Sequence, residues 1–201
     1  VDKRGEEMIF RIGEVPAYKN VITGLAGIYS ILAREDTRRE DFPGSPHKDT
    51  QTVYLTMPFI VDALDIFTEM EAPVRQVLSD SPLVQDIISE CMYMIGASRL
   101  GRTMLVNLKA GGEIPPHVDE GIYYSVHYRY HLPIVTNKDV KFISGDKDYN
   151  LEEGVLYELA NEEKHSVQNN STDSRLHLIM DMQLLSEVGE NLDDNTHHHT
   201  R

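Results

Sequence analysis

From residue 102 onward, short apolar stretches alternate with clusters of turn-forming residues. TMLVNLK (103–109) stops at Gly111-Gly112, YRYHLPIV (128–135) at TNKD and VKFIS (140–144) at GDKD. GVLYELA (154–160) stops at NEEK and HSVQN (165–169) at NSTDS, and RLHLIMDMQL (175–184) closes the series. Strands at this spacing predict a β-sandwich or barrel. Upstream, QTVYLTMPF (51–59) is rich in β-branched and aromatic residues and also predicts a strand. Two helices are expected after it, IVDALDIFTEM (60–70) and SPLVQDIISECMYMIGA (81–97). The second has Ser81 at the N-cap and Pro82 at the first helical position, and its stripe of Leu83, Ile87, Ile88, Cys91 and Met94 predicts a core face. Residues 1–50 mix short apolar runs with loops such as DFPGSPH (41–47) and define no element as clearly. The expected fold is mainly β with flanking helices, a jelly roll buttressed by the N-terminal half. One domain is expected over 1–185, with mixed support in 1–100 and the jelly-roll core in 102–184, followed by an acidic tail over 186–201.

Composition narrows the partners. The chain has 201 residues, 40% of them hydrophobic and 26% charged, ordinary values for a globular protein with a sizeable core. Its net charge of −14 is spread along the chain. An extended phosphate-binding surface needs clustered Lys and Arg, so nucleic acid is not an expected partner. No apolar run is long enough to predict a membrane span, and the opening VDKRGEEMIF has no signal-peptide pattern, which predicts a cytoplasmic protein. The single cysteine, Cys91, excludes an internal disulfide and a multi-cysteine metal site, and its apolar surroundings predict a buried thiol.

Candidate chemistry concentrates between residues 115 and 177. In PPHVDE, His117 and Asp119 are two apart and project to the same side of an extended segment. Together with His165, which follows a turn at the start of a strand, they form a two-histidine, one-carboxylate set. Such a set holds Fe(II) on one face and leaves open positions for co-substrate and O2. An HxD pair alone is also what a solvated loop shows by chance. Arg175 strengthens the metal reading. Alternation along RLHLIMDMQL puts Arg175, His177 and Ile179 on one face and Leu176, Leu178 and Met180 on the other. A strand arginine covered on both faces needs an anion, and a planar guanidinium suits a carboxylate held by two hydrogen bonds. Arg129 and His131 share a face of YRYHLPIV in the same way, so the strands outline a pocket for a small dicarboxylate. The competing arrangement pairs each arginine with a local acid such as Asp119, Asp173 or Asp181. His47 and Gln51, ahead of the strand in 51–59, are candidate substrate contacts.

At these residues the chain resembles the aspartyl/asparaginyl β-hydroxylase family of Fe(II)/2-oxoglutarate-dependent dioxygenases. The resemblance runs over 102–184 through GRTMLVNLKAGGEIPPHVD, RYHLPI and EEGVLYELANEEKHSVQNNSTDSRLHLIMD, and more weakly over HKDTQTVYLT (47–56). It implies a cupin-like double-stranded β-helix, with Fe(II) held by His117, Asp119 and His165. It also implies that Arg175 takes the distal carboxylate of 2-oxoglutarate, with Arg129 and His131 near the metal-chelating end. Animal members acting on EGF-like domains have glycine where this chain has Asp119, so the chain looks closer to members acting on free amino acids, such as the proline cis-hydroxylases. The family's serine contact to 2-oxoglutarate aligns near Val106 and Asn107, where this chain has no hydroxyl.

The expected function is hydroxylation of an amino acid or amino-acid side chain, coupled to decarboxylation of 2-oxoglutarate to succinate. Its substrate is a small-molecule amino acid or a peptide or protein; a protein aspartyl/asparaginyl hydroxylase is the alternative within the class. Outside the class, the alternative is a cupin-like metal-binding protein without oxygenase activity. Arg175 and the RYH strand separate the two, because a bare metal site needs neither.

Overall fold

The computed structural model describes residues 8–34, 45–57, 76–119, 121–160 and 162–184. The expected helix over 60–70 and the tail over 186–201 lie outside them. The described residues form strands β1 (Ile9–Glu14), β2 (Thr50–Thr56), β3 (Ala97–Leu108), β4 (Glu113–His117) and β5 (Tyr128–Val135). They continue with β6 (Val140–Ser144), β7 (Lys147–Tyr149), β8 (Val155–Leu159), β9 (His165–Asn169) and β10 (Arg175–Leu184). Three helices join them: α1 (Val21–Arg34), α2 (Gln76–Ser79) and α3 (Pro82–Ile95). None of the described helices is long and apolar enough to cross a membrane.

Two antiparallel sheets carry the fold. The larger has six strands in the order β1-β8-β5-β10-β3-β2, and the smaller has four in the order β4-β9-β6-β7. Non-sequential neighbours in both sheets are the mark of a jelly roll. Strand β10 lies at the centre of the larger sheet, paired with β3 on one side and β5 on the other. Every residue of β10 from Arg175 to Gln183 is buried, because this strand has covered faces on both sides.

Alternation assigns each face its neighbour. Leu176, Leu178, Met180 and Met182 join Val53, Leu55, Leu105 and Leu132 in a core closed by Ile28 and Leu32 of α1 and by Ile87, Ile88 and Cys91 of α3. The opposite face looks toward the smaller sheet. There Leu108, Tyr157 and Leu159 pack with Ile114, Phe142 and Val167. Met104, Val106 and Ile179 form a separate apolar patch on the same face.

Helix α3 begins at Pro82 after Ser81 and ends at Gly96, which takes the left-handed conformation (φ 68°) that favours glycine. Ser81 occupies the N-cap without a side-chain capping bond, so the proline and the buried stripe set this boundary. Helix α1 was not evident in the sequence. Gly24 and Gly27 lower the helix propensity of VITGLAGIYSILAR. A Cβ on Gly24 would lie 2.1 Å from Leu83 Cδ2, so a larger residue there would displace the Leu83 side chain. Strands β4 and β7, of five and three residues, were not evident either, and β4 contains Pro115 and Pro116. It lies at the edge of its sheet, where prolines cost the fewest ladder bonds.

Cys91 is fully buried among these core residues, and burial, reinforced by Glu90, pushes its thiol up to about 12. Native protein should therefore react with an aromatic disulfide reagent at least about 100-fold more slowly than protein in denaturant. Equal rates would place the α3–sheet contact in error.

Candidate metal and dicarboxylate site

The pairing of β4 with β9 puts His117 directly opposite His165, with ring centroids 4.4 Å apart. Each imidazole is oriented by the carbonyl two residues before it. His117 Nδ1 donates to Pro115 O and His165 Nδ1 to Glu163 O, both at 2.9 Å. A carbonyl only accepts, so the hydrogen is on Nδ1 and Nε2 carries the lone pair in both rings. Asp119 lies just beyond the end of β4. One ligand atom from each of His117, Asp119 and His165 falls within 4.8 Å of the other two.

Electrostatics keep this set ready for a cation. Burial works to raise the Asp119 pKa, but Arg129 and the neighbouring histidines outweigh it, and the carboxyl is held below its usual value. Burial also lowers His165, which favours the neutral ring. Two imidazole lone pairs and one carboxylate fit a mid-size divalent metal such as Fe(II). Phe142 stacks against His165 at 5.8 Å and meets His131 edge-on at 5.6 Å, closing one wall with carbon.

The pocket continues from His117 and His165 past Met104, Val106, His131 and Ile179 to Arg175, with about 440 Å³ of space including its open mouth. Arg175 is 1% exposed, and its Nε has no hydrogen-bond partner. Its Nη2 donates to His177 Nδ1 at 2.7 Å. That nitrogen therefore accepts from Arg175, and the His131 Nδ1 lies 3.4 Å from it. His131 and His177 are both held far below their usual pKa, by burial first and by the Arg175 charge second, so both rings are neutral. Burial with no carboxylate to offset it pushes Arg175 down to about 9, which leaves it cationic at neutral pH. The Nε2 atoms of His131 and His177 are also buried and unpartnered. One end of the pocket thus holds a buried cation and orphaned polar atoms, the chemistry that a carboxylate-bearing ligand satisfies.

The two arginines turn out differently. Arg129 lines the same pocket, as expected of a residue near the co-substrate, and its guanidinium is engaged by local acids. Its Nε donates to Asp181 Oδ1 at 2.8 Å and its Nη2 to Asp181 Oδ2 at 3.0 Å, while Nη1 holds Asp119 Oδ2. Arg129 therefore follows the competing local-acid arrangement, and Arg175 does not.

The substrate-side pair also divides. His47 lines the pocket, its ring edge-on to His117 at 5.1 Å. Gln51 is corrected: it accepts from Asn107 Nδ2 at 3.2 Å on the face shared with Val53 and Leu55, which belong to the helix-side core. Strand alternation directs it away from the pocket. The same parity places Val106 on the pocket and Asn107 on the far face, so an apolar residue stands where the resemblance expected a serine contact. Asp181, named from the sequence only as a local acid that could answer an arginine, continues the alternation of Arg175, His177 and Ile179 and is the acid that pairs with Arg129. Tyr124, whose hydroxyl accepts from Arg129 Nη2 at 3.0 Å, carried no distinguishing signal.

The aspartyl/asparaginyl beta-hydroxylase family model matches residues 66–184, more than half of the chain and all of the strands that build this pocket from β3 to β10. The chain belongs to this family. The chain is thus an enzyme of the Fe(II)/2-oxoglutarate oxygenase class, using Fe(II), 2-oxoglutarate and O2, and the non-oxygenase alternative falls away. Solved structures share its fold. A Pseudomonas putida prolyl-4-hydroxylase is 11% identical with a TM-score of 0.54, over 89% of this chain and 94% of that one. A 2OG-Fe(II) oxygenase family oxidoreductase from Burkholderia pseudomallei is 10% identical with a TM-score of 0.51, over 83% and 88%. The non-heme alpha ketoglutarate dependent epimerase SnoN from nogalamycin biosynthesis is 15% identical with a TM-score of 0.58, over 89% and 78%. At these identities the likeness establishes the double-stranded β-helix of the chain and nothing about its substrate. No curated protein sequence matches the chain.

Because the Arg175 charge is buried without compensation, replacing it should not weaken the fold. Arg175→Met should leave the ligand-free Tm unchanged or raise it, by about 2–4 °C for each kcal/mol recovered. A calorimetric Tm well below wild type would show that Arg175 has a structural partner after all.

Proposed function

We propose that the enzyme hydroxylates an amino acid or an amino-acid side chain, with His117, Asp119 and His165 holding Fe(II) and Arg175 receiving the distal carboxylate of 2-oxoglutarate. One observation carries this reading: a buried, unpaired guanidinium lies in the same pocket as a ready three-ligand set. A metal site alone does not call for such a cation, whereas a dicarboxylate bound between the two does.

The bound Fe(II) would supply activation of O2 coupled to decarboxylation of the co-substrate to succinate. The chain's own residues would do the rest. Arg175 would anchor one carboxylate through two parallel hydrogen bonds, and the neutral His131 would line the pocket beside the other end of the same molecule. Met104, Val106, Phe142 and Ile179 would exclude water along the co-substrate's length. His47, beside His117 on the mouth side, is the proposed substrate contact. Arg129 is assigned to Asp119 rather than to the co-substrate.

The substrate would be a free amino acid or a residue within a peptide. Asp119 favours hydroxylation over halogenation, since a halide would need the coordination position that the carboxylate takes. Nothing basic and extended accompanies the site in this acidic chain, which argues against nucleic acid as a substrate.

Anaerobic titration of the Fe(II)-loaded enzyme with 2-oxoglutarate tests the reading. A saturable visible charge-transfer band is expected, with half-saturation moved up at least about tenfold in Arg175→Met, which loses a charge-assisted bidentate contact. Stoichiometric metal binding with no band would remove the co-substrate assignment. A band of wild-type affinity in the variant would remove Arg175 from it.

A further inference from the structure

The two histidines of the triad are each fixed by the β4–β9 ladder and by a carbonyl. Asp119 has neither support. It lies past the end of β4, and its carboxylate is held by Arg129 Nη1. Arg129 is itself aimed by Asp181, which is completely buried and sits opposite it in the β5–β10 register. The pairing is two-point, Nε to Oδ1 at 2.8 Å and Nη2 to Oδ2 at 3.0 Å, and a planar fork engaged at two points cannot rotate. With that edge fixed, Nη1 is directed at Asp119. The Tyr124 hydroxyl closes the arrangement, accepting from Arg129 Nη2 at 3.0 Å and from Arg102 Nη1 at 3.2 Å.

We infer that Asp181 and Arg129 are positioning residues for the metal's carboxylate ligand: Asp181 orients Arg129, and Arg129 fixes the plane of Asp119 by holding one of its oxygens. The inference rests on the proposed triad. The oxygen that Arg129 holds, Oδ2, is also the one 3.7 Å from His165 Nε2, so Arg129 sets how the carboxylate faces the imidazoles. A carboxylate free to turn would lose that alignment. The pair's burial would then serve the site, because a strand crossing at this depth could have been filled with apolar residues at no loss of stability.

Co(II) titration of the metal-free protein tests this, read by visible absorption for both affinity and spectrum and accompanied by the metal-free Tm. Two variants are needed. Asp181→Asn keeps the shape and breaks the two-point charge pairing. Arg129→Met with Asp181→Leu removes both buried charges together and keeps the fold accessible. Both should bind Co(II) at least about tenfold more weakly than wild type, with a changed visible spectrum, and the double variant should keep a near-wild-type metal-free Tm. Wild-type affinity and spectrum in folded variants would make the pair structural only and overturn the inference, as would a double variant that does not fold. His117→Ala separates the two levels. If it binds Co(II) as tightly as wild type, the triad itself is wrong and the positioning role falls with it.

Discussion

A positive charge fixed inside a protein has to be answered, and in this chain one of two buried arginines is answered by the fold and the other is not. Arg129 has Asp181 and Asp119 around it. Arg175 has two neutral histidines and an unpartnered Nε. Burial of the second works against folding, and helix packing against the opposite face of the same strand offsets it. The chain therefore stores an unmet demand for an anion at one end of the pocket, while the Asp119–His117–His165 set stores a demand for a cation at its other end.

The two-sheet architecture keeps those demands apart and facing each other. His117 and His165 belong to the smaller sheet, while Arg175, Arg129 and His131 belong to the larger. Neither sheet contains a site alone. The Leu108, Ile114, Phe142, Tyr157 and Val167 cluster sets their separation, so the pocket is as rigid as the core beside it. Phe142 takes part in both, packing in that cluster while stacking on His165.

Arginine chemistry also explains why the two positions are not interchangeable. A guanidinium with all edges engaged acts on whatever its last donor touches, here the carboxylate of a metal ligand. A guanidinium with a free edge recognises an incoming partner. One residue type on two adjacent strands thereby divides into a positioning role and a binding role.

By itself the sequence determined most strands of the second half, though not β4 or β7, helix α3 with its proline and glycine boundaries, and the inward face of β10. These rest on local period and turn chemistry, which need no partner to be read. The same alternation grouped Arg175 with His177 and Arg129 with His131, and the HxD spacing with a distant His165 suggested the metal. What only the tertiary structure decided was who answers whom. Asp181 is 52 residues from Arg129, and the two-residue period of a strand says which face a side chain takes but not what lies across from it. Gln51 shows the same limit, since its side became definite only when β2 paired with β3 in register. That Gly24 of helix α1 faces Leu83 is likewise visible only in the fold. Register and the meeting of two sheets are long-range facts, and the charges in this site derive their roles from them.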